Sequence, residues 1–495
     1  MTILRAGAGK CAIAIATLGL ALSGCSGGGG GGGSTPTPTP TNHAPGITSA
    51  ATFSVVENST AAVYQASATD SDGDAVTLSL SGTDAARFTI SATGDVRFAA
   101  TPNFEKPADA DADNVYNLQL SASDGKTSVS QAVTVTVTNS KEGIAVQDIA
   151  FGFDHPVAIT SIPGDSRLMI AERSGAIYIY DPAVQQHVLF AKVPNLTNAD
   201  GQGILSVAPA PDFATRPIVY TLIGNGTWIE LQRIGGASKA FIGYHNLYTN
   251  NVGGWAGFGA DGLLYVATGD AGGTNDPSGS AQSGPENFFS ALLGKLMSFA
   301  PADFDAWERA QGGAAVPPAI VPRAVLAKGL HYPIGGSFYA GGLLLPDRGQ
   351  SVREEVNALT LTAGATDNLG WPWREGTSVN LAGEPAGLLA PVLDYPHGTG
   401  TYAGQQIMSG LVYQGANASL AGSYLFLDAS GAVFTAPVAS LQRGSTAGAS
   451  AMERRDLDFT PSNGTIVQPV SMTQTASGAI YIICDNGHIF RVTAS

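Results

Sequence analysis

The hydrophobic and polar positions between residues 46 and 140 alternate with a period of two. Such alternation places one face of an extended chain against a core and the other against solvent, as in a half-buried β-strand. Turns that contain Gly or Asp separate the alternating runs. The pattern predicts a β-sandwich over residues 46–140. The alternating runs are TFSVV, AVTLSLSG, ARFTISATGDVRF, YNLQLSASDG and AVTVTVT.

A second region, residues 147–495, has no long amphipathic helical pattern and repeats a turn followed by an apolar strand. Near its C-terminus, Asn486-Gly487 is a strong hairpin signal. Repeated hairpins are typical of a β-propeller, in which each four-stranded blade packs against its neighbours. At roughly 50–60 residues per blade, the length predicts six blades and an all-β fold class. The repeats are SGAIYIY (174–180), DGLLYVA (261–267), GSYLFLD (422–428) and SGAIYII (477–483).

The N-terminus has the pattern of an export signal. Arg5 and Lys10 accompany an apolar run, residues 11–22, that is too short to cross a bilayer as a helix. The following LSGC, which ends at Cys25, resembles the bacterial lipobox, in which the cysteine becomes the lipidated first residue of the mature protein. The alternative is an ordinary signal peptide with an incidental cysteine. The expected lipoprotein signal peptide covers residues 1–24.

A tether is expected over residues 25–45, where a Gly run precedes Thr-Pro repeats. Poly-Gly has too much chain entropy to fold, and Thr-Pro alternation favours an extended spacer. The protein would then reach the membrane only through the lipid. Ser26 after the cysteine favours the outer membrane by the lipoprotein sorting pattern, on its periplasmic face or at the cell surface.

The charge balance of the chain limits the classes of binding partner that we expect. Lys and Arg total 24 against 39 Asp and Glu, and the net charge is −15. Nucleic acid is therefore not an expected partner, because its recognition depends on clustered cations. Of the three cysteines, Cys11 leaves with the signal and Cys25 carries the lipid, so Cys484 has no partner for an intramolecular disulfide.

The acidic residues of the first region lie in the motifs VEN, ATDSDGD, NFE and LSASDG. In this order the motifs resemble a bacterial cadherin-like repeat, which implies Ca²⁺ binding by hard carboxylate oxygens. The closing segment is TNSKEG instead of the family's aspartate-rich linker, and DADADN (109–114) is interpreted as a polar loop. Solvated Asp-rich turns are the alternative. The implied ligands are Asp70, Asp72 and Asp124 at one end and Glu57 and Glu105 at the other.

The second region resembles the glucose/sorbosone dehydrogenase family, soluble sugar dehydrogenases that use pyrroloquinoline quinone (PQQ) and Ca²⁺. The resemblance covers residues 150–493 and rests on motifs in family order, namely AERSGAIYIYD, DGQGILSVAPAPDF, VGGWAGFGADGLLYVATGDAGG, KGLHYP, LPDRGQSVREEVN and NLGWPWREG. It implies a hydride transfer from a sugar's anomeric carbon to PQQ, with a histidine base and arginines for the cofactor's carboxylates.

Three of the positions that this chemistry implies carry other residues. The family's basic histidine falls on Asn251, its cofactor-binding arginine on His331, and a second arginine on Ala432. A carboxamide cannot act as a general base. His245, six residues before Asn251, is a candidate replacement, and His397 in DYPHGTG is another. Each of these histidines is alternatively an ordinary polar loop residue.

Other family features are retained. Gln202 stands at a position that lines the quinone and substrate site, and the Gly349-Gln350 backbone stands where carbonyls hold the PQQ-associated Ca²⁺. Glu354 and Glu355 occupy acidic family positions, with Glu355 the candidate metal ligand, and the favoured alternative for both is propeller turn structure. Asp270, Gly272 and Gly273 are interpreted as a blade-closing turn.

Two functional hypotheses follow. The first is a PQQ- and Ca²⁺-dependent sugar dehydrogenase with altered base and cofactor contacts. The second is a propeller without catalysis that binds a carbohydrate or a surface protein, with the cadherin-like region as a spacer or adhesion module. A purely structural adhesin is disfavoured, because nothing repeats the cadherin-like unit.

Overall fold

The structure is a computed structural model. It describes residues 41–196, 202–226, 228–235, 239–244, 252–283, 292–311, 320–362, 364 and 366–494. No helix within these ranges combines the length and the apolar character needed to span a bilayer.

Residues 46–138 form a sandwich of two main sheets. One sheet has the strand order β2-β9-β8-β5, the other has β3-β7-β6, and β1 pairs with β4 at the side. The strands are β1 (Gly46–Ile47), β2 (Thr52–Val56), β3 (Tyr64–Gln65), β4 (Ala68–Thr69), β5 (Thr77–Ser81), β6 (Phe88–Ile90), β7 (Asp95–Phe98), β8 (Val115–Ser123) and β9 (Ser128–Thr138).

The period-two alternation produces the core of this sandwich. In β8, Tyr116, Leu118 and Leu120 are buried while the residues between them face outward. They pack with Val133 and Val135 of β9 in one hydrophobic cluster. The predicted β-sandwich is thus confirmed.

Six sheets of four or five strands form the framework of the remaining residues that the structure describes. The first strand, β10 (Ile144–Ala150), begins three residues before the predicted start at 147. The strands of blades one to three are β11 (Pro156–Ser161), β12 (Leu168–Glu172), β13 (Ala176–Asp181), β14 (Gln186–Lys192); β15 (Gly203–Pro209), β16 (Val219–Asn225), β17 (Trp228–Ile234), β18 (Lys239–Tyr244); and β19 (Gly254–Phe258), β20 (Leu264–Thr268), β21 (Lys295–Phe299) and β22 (Ala324–Lys328). Helix α1 (Pro301–Gln311) lies between β21 and β22.

Blades four to six complete the ring and confirm the predicted six-bladed propeller. β26 adds a fifth strand to blade three, and β27 with β28 forms a separate hairpin. The remaining strands are β23 (Ser337–Tyr339), β24 (Gly342–Asp347), β25 (Arg353–Leu359), β26 (Asp367–Asn368), β27 (Arg374–Glu375), β28 (Ser378–Val379), β29 (Leu393–Pro396); β30 (Ile407–Val412), β31 (Ser423–Asp428), β32 (Val433–Pro437), β33 (Glu453–Arg454); and β34 (Pro469–Gln474), β35 (Ile480–Cys484) and β36 (Ile489–Ala494).

The two ends of the propeller are joined within one blade. The order β10-β36-β35-β34 places the N-terminal strand β10 outermost in the sheet formed by the last three strands. The Asn486-Gly487 turn connects β35 to β36, as the hairpin signal predicts, with Gly487 at φ +82°. The ring is therefore closed by backbone hydrogen bonds between the first and the last strand of the propeller region.

The repeated sequence units do not all occupy equivalent strands. SGAIYIY corresponds to the third strand of blade one, β13, whereas SGAIYII corresponds to the second strand of blade six, β35. Both strands are buried and antiparallel to both neighbours, so the same apolar pattern suits either position. The repeat therefore indicates a propeller, but it does not show which strand of a blade each copy forms.

Serine hydroxyls join neighbouring blades around the axis. In each case a serine on one inner strand accepts a backbone N–H from the inner strand of the next blade, at 2.9–3.2 Å. These bonds satisfy N–H groups that would otherwise lack a partner, because adjacent inner strands splay apart. The acceptors are Ser206, Ser337, Ser409 and Ser471, and their donors are Ala256, Val412, Met472 and Ile159.

Candidate functional site

The propeller axis contains two cavities that meet at an apolar ring. The upper cavity has a volume of about 580 Å³ and the lower one about 380 Å³. Each blade contributes one residue to the walls of both. This apolar ring consists of Val157, Leu205, Gly254, Ile334, Met408 and Val470. The upper cavity is large enough for a cofactor-sized molecule.

Two arginines contribute positive charge to the upper cavity. Arg348 follows β24, and its guanidinium donates to the carbonyl of Ile407 at 2.9 Å and lies 4.7 Å from the centre of the Tyr332 ring. Arg173 follows β12, and its guanidinium has no hydrogen-bond or carboxylate partner in the described part of the chain. An unpaired guanidinium in a cavity suits a ligand with carboxylate groups.

Amide side chains supply most of the remaining polar lining, namely Gln202, Gln350, Gln405, Gln406 and Gln468. Gln202 is held by both backbone groups of Gly226, at 2.7 and 2.8 Å. Gln350 accepts from the backbone N–H of Asn275 at 2.8 Å. The structure therefore brings two predicted cofactor-binding residues to one cavity, with their side chains already oriented.

A histidine and a buried carboxylate form a pair at the cavity wall. His397 lines the cavity, and its Nε2 lies 2.6 Å from Oε1 of Glu354, which is fully buried. The other oxygen of Glu354 accepts the backbone N–H of Ile407 at 3.0 Å. The hydrogen bond to Glu354 raises the pKa of His397, and burial raises that of Glu354.

His331 lies beneath the cavity wall and does not line the cavity. Its Nδ1 lies 2.6 Å from the carbonyl of Arg348, its ring packs on Trp371, and its Nε2 has no partner among the described residues. Burial lowers the pKa of His331 to about 4, so the ring is neutral. Its neighbours Tyr332 and Arg348 reach the cavity instead.

The remaining predicted positions are placed as follows. Asn251 and His245 lie outside the described residues. Ala432 is buried in the core of blade five, away from the upper cavity. Asp270 accepts from the indole N–H of Trp371 at 2.6 Å and from the backbone of Gly272 at 3.1 Å, which fits the predicted turn.

Two predicted metal positions in blade four are enclosed by protein contacts. Gly349 lies so close to the carbonyl of Arg353 and to Glu375 that no side chain would fit there. Glu355 is buried, and its oxygens accept from Asn357 and from the backbone of Gly376, at 2.8 and 2.9 Å. Its side chain therefore supports the fold of the loop around the site.

A second candidate site lies where the sandwich meets the propeller. Carboxylate oxygens of Glu57, Glu105 and Glu142 lie within 4.8 Å of one another, so the predicted pair of glutamates gains a third member from the linker. Glu105 is only 2% exposed, and its Oε2 has no hydrogen-bond partner within the described ranges. Burial, together with the nearby Asp458 and Glu57, holds the pKa of Glu105 well above its usual range.

The linker is held in an unusual backbone conformation at this junction. Lys141, Glu142 and Gly143 all have positive φ, at 55°, 44° and 73°. For residues other than glycine this conformation costs roughly 1–2 kcal/mol each. The buried guanidinium of Arg455 in the propeller pairs with Glu142, Glu453 and Asp458, so an ion-pair network fixes the linker.

The predicted Ca²⁺ ligands at the other end of the sandwich are occupied by neighbouring protein groups, as are both oxygens of Glu57, which accept the backbone N–H groups of Phe104 and Ser140 at 2.9 Å. Asp124 accepts from Asn42 at 2.8 Å, and Asp72 accepts from the backbone and ring of His43, at 2.7 and 2.9 Å. Asp70 caps its own turn through the backbone of Asp72. In the described part of the chain these three carboxylates are not grouped closely enough to share an ion. Asn42 and His43, at the end of the predicted tether, instead pack on the sandwich.

Carboxylates of the DADADN loop do approach one another. Oxygens of Asp109, Asp111 and Asp113 lie within 4.8 Å. Asp109 accepts the backbone N–H groups of Asp113 and Asn114, at 2.8 and 3.2 Å, so it holds the loop together. These contacts agree with the predicted polar loop.

Sequence reasoning missed both cavity arginines. Arg348 stands in LPDRGQ at a family position that is not basic, and Arg173 stands in AERSG, a motif that carries the family resemblance without implying a role for its arginine. Both arginines directly follow the second strand of their blade, β24 or β12, on the side of the propeller that bears the upper cavity. Glu142 was missed because Lys141 and Glu142 adopt positive φ although neither is a glycine, so the sequence gives no signal of this turn.

The fold and the site define the second region as a six-bladed propeller with an axial ligand cavity. Residues 153–398 match the family model described as Glucose / Sorbosone dehydrogenase, and residues 42–138 match Bacterial Ig domain. The propeller region thus matches the Glucose / Sorbosone dehydrogenase family model, and the preceding sandwich matches a bacterial Ig domain.

Solved structures share the propeller fold. The PQQ-bound form of an aldose sugar dehydrogenase from Streptomyces coelicolor aligns over 71% of this chain and 98% of its own, with 18% identity and a TM-score of 0.52. A soluble aldose sugar dehydrogenase from Escherichia coli, in the apo-form, aligns over 71% and 100%, with 18% identity and a TM-score of 0.50. At these identities the likeness establishes the fold.

Proposed function

We propose that the protein is a PQQ-dependent sugar dehydrogenase whose cofactor and substrate occupy the upper cavity. The observation that carries this proposal is the pair of cavity arginines, Arg173 and Arg348, of which Arg173 has no acidic partner in the described structure. PQQ carries three carboxylates, and guanidinium groups bind carboxylates strongly. When bound, PQQ accepts a hydride from the sugar.

The cavity's other residues fit this cofactor class. The pre-oriented amides of Gln202 and Gln350 offer donors and acceptors to quinone oxygens and sugar hydroxyls. The Tyr332 ring, which stacks under Arg348, adds an aromatic surface. The PQQ-bound state of the Streptomyces coelicolor protein and the family match support the same assignment.

The test is a titration of PQQ into the full-length protein with Ca²⁺ present, followed by quinone absorbance. Arg173→Gln should weaken binding by about 10- to 100-fold, because a hydrogen bond to a charged group contributes roughly 1.5–3 kcal/mol. The control is Arg323→Gln, an exposed arginine that pairs with Asp303 outside the cavity. Equal affinity in the natural protein and the Arg173 variant would contradict the assignment.

A carbohydrate-binding propeller without catalysis is the second candidate. It is favoured by Asn251, which replaces the family's basic histidine. Saturable sugar binding by calorimetry, with no change in quinone absorbance at any PQQ concentration, would support this candidate and reject the first.

We further propose that Glu57, Glu105 and Glu142 hold Ca²⁺ at the domain junction. The unpartnered Oε2 of buried Glu105 supports this, since a buried carboxylate needs a proton, a donor or a cation. The ion would then link the linker to the sandwich and stiffen the connection between the two domains.

The anchor also remains our proposal. LSGC and the tether support lipidation of Cys25 and placement at the outer membrane. Labelling with a palmitate analogue should give a membrane-bound signal that Cys25→Ala abolishes. A labelled Cys25→Ala protein, or an unlabelled natural protein, would contradict lipidation at this cysteine.

A further inference from the structure

The His397–Glu354 pair has the geometry of a base with an orienting carboxylate. The short 2.6 Å contact joins Nε2 to a carboxylate that is fully buried. A neutral ring therefore donates its Nε2–H to Glu354 and leaves the lone pair on Nδ1. Nδ1 has no hydrogen-bond partner in the described part of the structure, and the residue lines the upper cavity.

The surrounding backbone fixes the orientation of the ring. The N–H of His397 donates to the carbonyl of Val352 at 2.9 Å, and Glu354 is held by the N–H of Ile407 at 3.0 Å. Both members of the pair are thus held in place, Glu354 through its carboxylate and His397 through its backbone N–H. A positioned histidine of this kind needs little reorganisation to accept a proton.

The charges that face His397 favour its protonated form, which a proton acceptor must be able to adopt. The hydrogen bond and charge of Glu354, with smaller contributions from Glu375 and Asp428, raise the pKa of His397, while burial lowers it. Arg348 lies near Glu354 and favours its ionised form. Asp485 and Arg173 complete the charged lining of the same cavity.

We propose that His397 is the proton acceptor of the cavity and that Glu354 positions it. This inference rests on the proposed dehydrogenase function. As the sugar hydroxyl's O–H bond breaks, its proton passes to Nδ1 of His397. The carbon that bears this hydroxyl loses its hydrogen and the C–H electron pair as a hydride to the quinone. Its bond to the hydroxyl oxygen becomes C=O. His397 would thereby supply the proton transfer that Asn251 cannot.

The experiment compares the full-length natural protein with His397→Gln and Glu354→Gln. The control is His488→Gln, whose histidine also pairs with a carboxylate, Asp148 at 2.7 Å, but lines neither cavity. PQQ binding, the pH profile of sugar oxidation, and histidine titration by NMR with ¹⁵N-histidine labelling are measured for each protein. The resonance missing from the His397→Gln spectrum belongs to His397.

We expect His397→Gln to lose about 10²- to 10⁴-fold in kcat/KM while its PQQ affinity stays within a few-fold of the natural protein. Turnover by the natural protein should rise with pH as His397 loses its proton. In Glu354→Gln, the histidine should titrate at lower pH, because the partner that raises its pKa has lost its charge. His488→Gln should leave rate, profile and quinone binding unchanged.

Two outcomes would overturn the inference and can be told apart. If His397→Gln binds PQQ and oxidises sugar with an unchanged rate and pH profile, His397 is not the base, although the proposed function stands. If the natural protein binds no PQQ, the proposed function fails, and this role for His397 fails with it.

Discussion

Arg455 gives the clearest energetic test of the junction between the two domains. Its side chain is only 4% exposed, and its guanidinium pairs with Glu142, with Glu453 at 2.6 Å and with Asp458 at 3.1 Å. Asp458 is itself fully buried. Arg455→Met keeps an apolar chain of similar length but leaves these carboxylates without their cation. Breaking a buried ion pair from one side costs about 3–5 kcal/mol, because a buried charge remains uncompensated.

Urea unfolding of the full-length protein measures this loss. The matched control is Arg454→Met, since Arg454 is adjacent, about one-third exposed, and pairs with Asp456. An exposed pair contributes about 0.2–1 kcal/mol, so the control should remain near the natural stability. Adding Asp458→Asn to Arg455→Met should recover part of the loss. Equal unfolding free energies for Arg455→Met and Arg454→Met would refute the reasoning.

Two further predictions concern ion binding and pH. Millimolar Ca²⁺ should raise the melting temperature relative to EGTA, because an ion at 100 times its Kd adds about 2.7 kcal/mol to the free energy of unfolding. Glu105→Gln should remove this difference while the exposed-site control Glu384→Gln keeps it; identical curves for the natural protein would contradict a junction ion. Burial lowers the pKa of Lys295 to about 7 from 10.5, so the unfolded chain binds more protons between these values. Stability relative to Lys295→Met should therefore rise by up to about 1.4 kcal/mol per unit above pH 7. A pH-independent difference in urea unfolding would show that Lys295 stays charged.

Local patterns were sufficient to predict both folds. Period-two alternation specifies which face of β8 is buried, and Asn486-Gly487 specifies the last hairpin, because both depend on neighbouring residues. Which strand of a blade each repeated unit forms could not be predicted in this way. SGAIYI fits β13 and β35 equally well, since both are buried central strands.

The site was only partly predictable for a related reason. Gln202 and Gln350 were identified by resemblance and do line one cavity. Which loops converge on the axis, however, depends on the closure of the whole ring. Arg173 follows β12 of blade one and His397 follows β29 of blade four, so they line one cavity only in the closed propeller. The predicted cofactor residue His331 faces the packed layer beneath the cavity wall, where burial keeps it neutral.

The outermost position of β10 determines how the molecule would bear mechanical load. A pull on the N-terminal side passes through the sandwich and the linker into β10, which pairs with β36 from Ile144↔Ala494 to Ala150↔Ile489. Because the hydrogen bonds between these strands run across the strand direction, tension along β10 loads all of them in shear together instead of opening them one by one. Glu142, which pairs with Arg455, precedes β10 in the chain, so the force reaches this ion pair before it reaches the strand. The β10–β36 pairing that closes the ring is thus also the attachment that resists shear, and the ion pairs of Arg455 protect it.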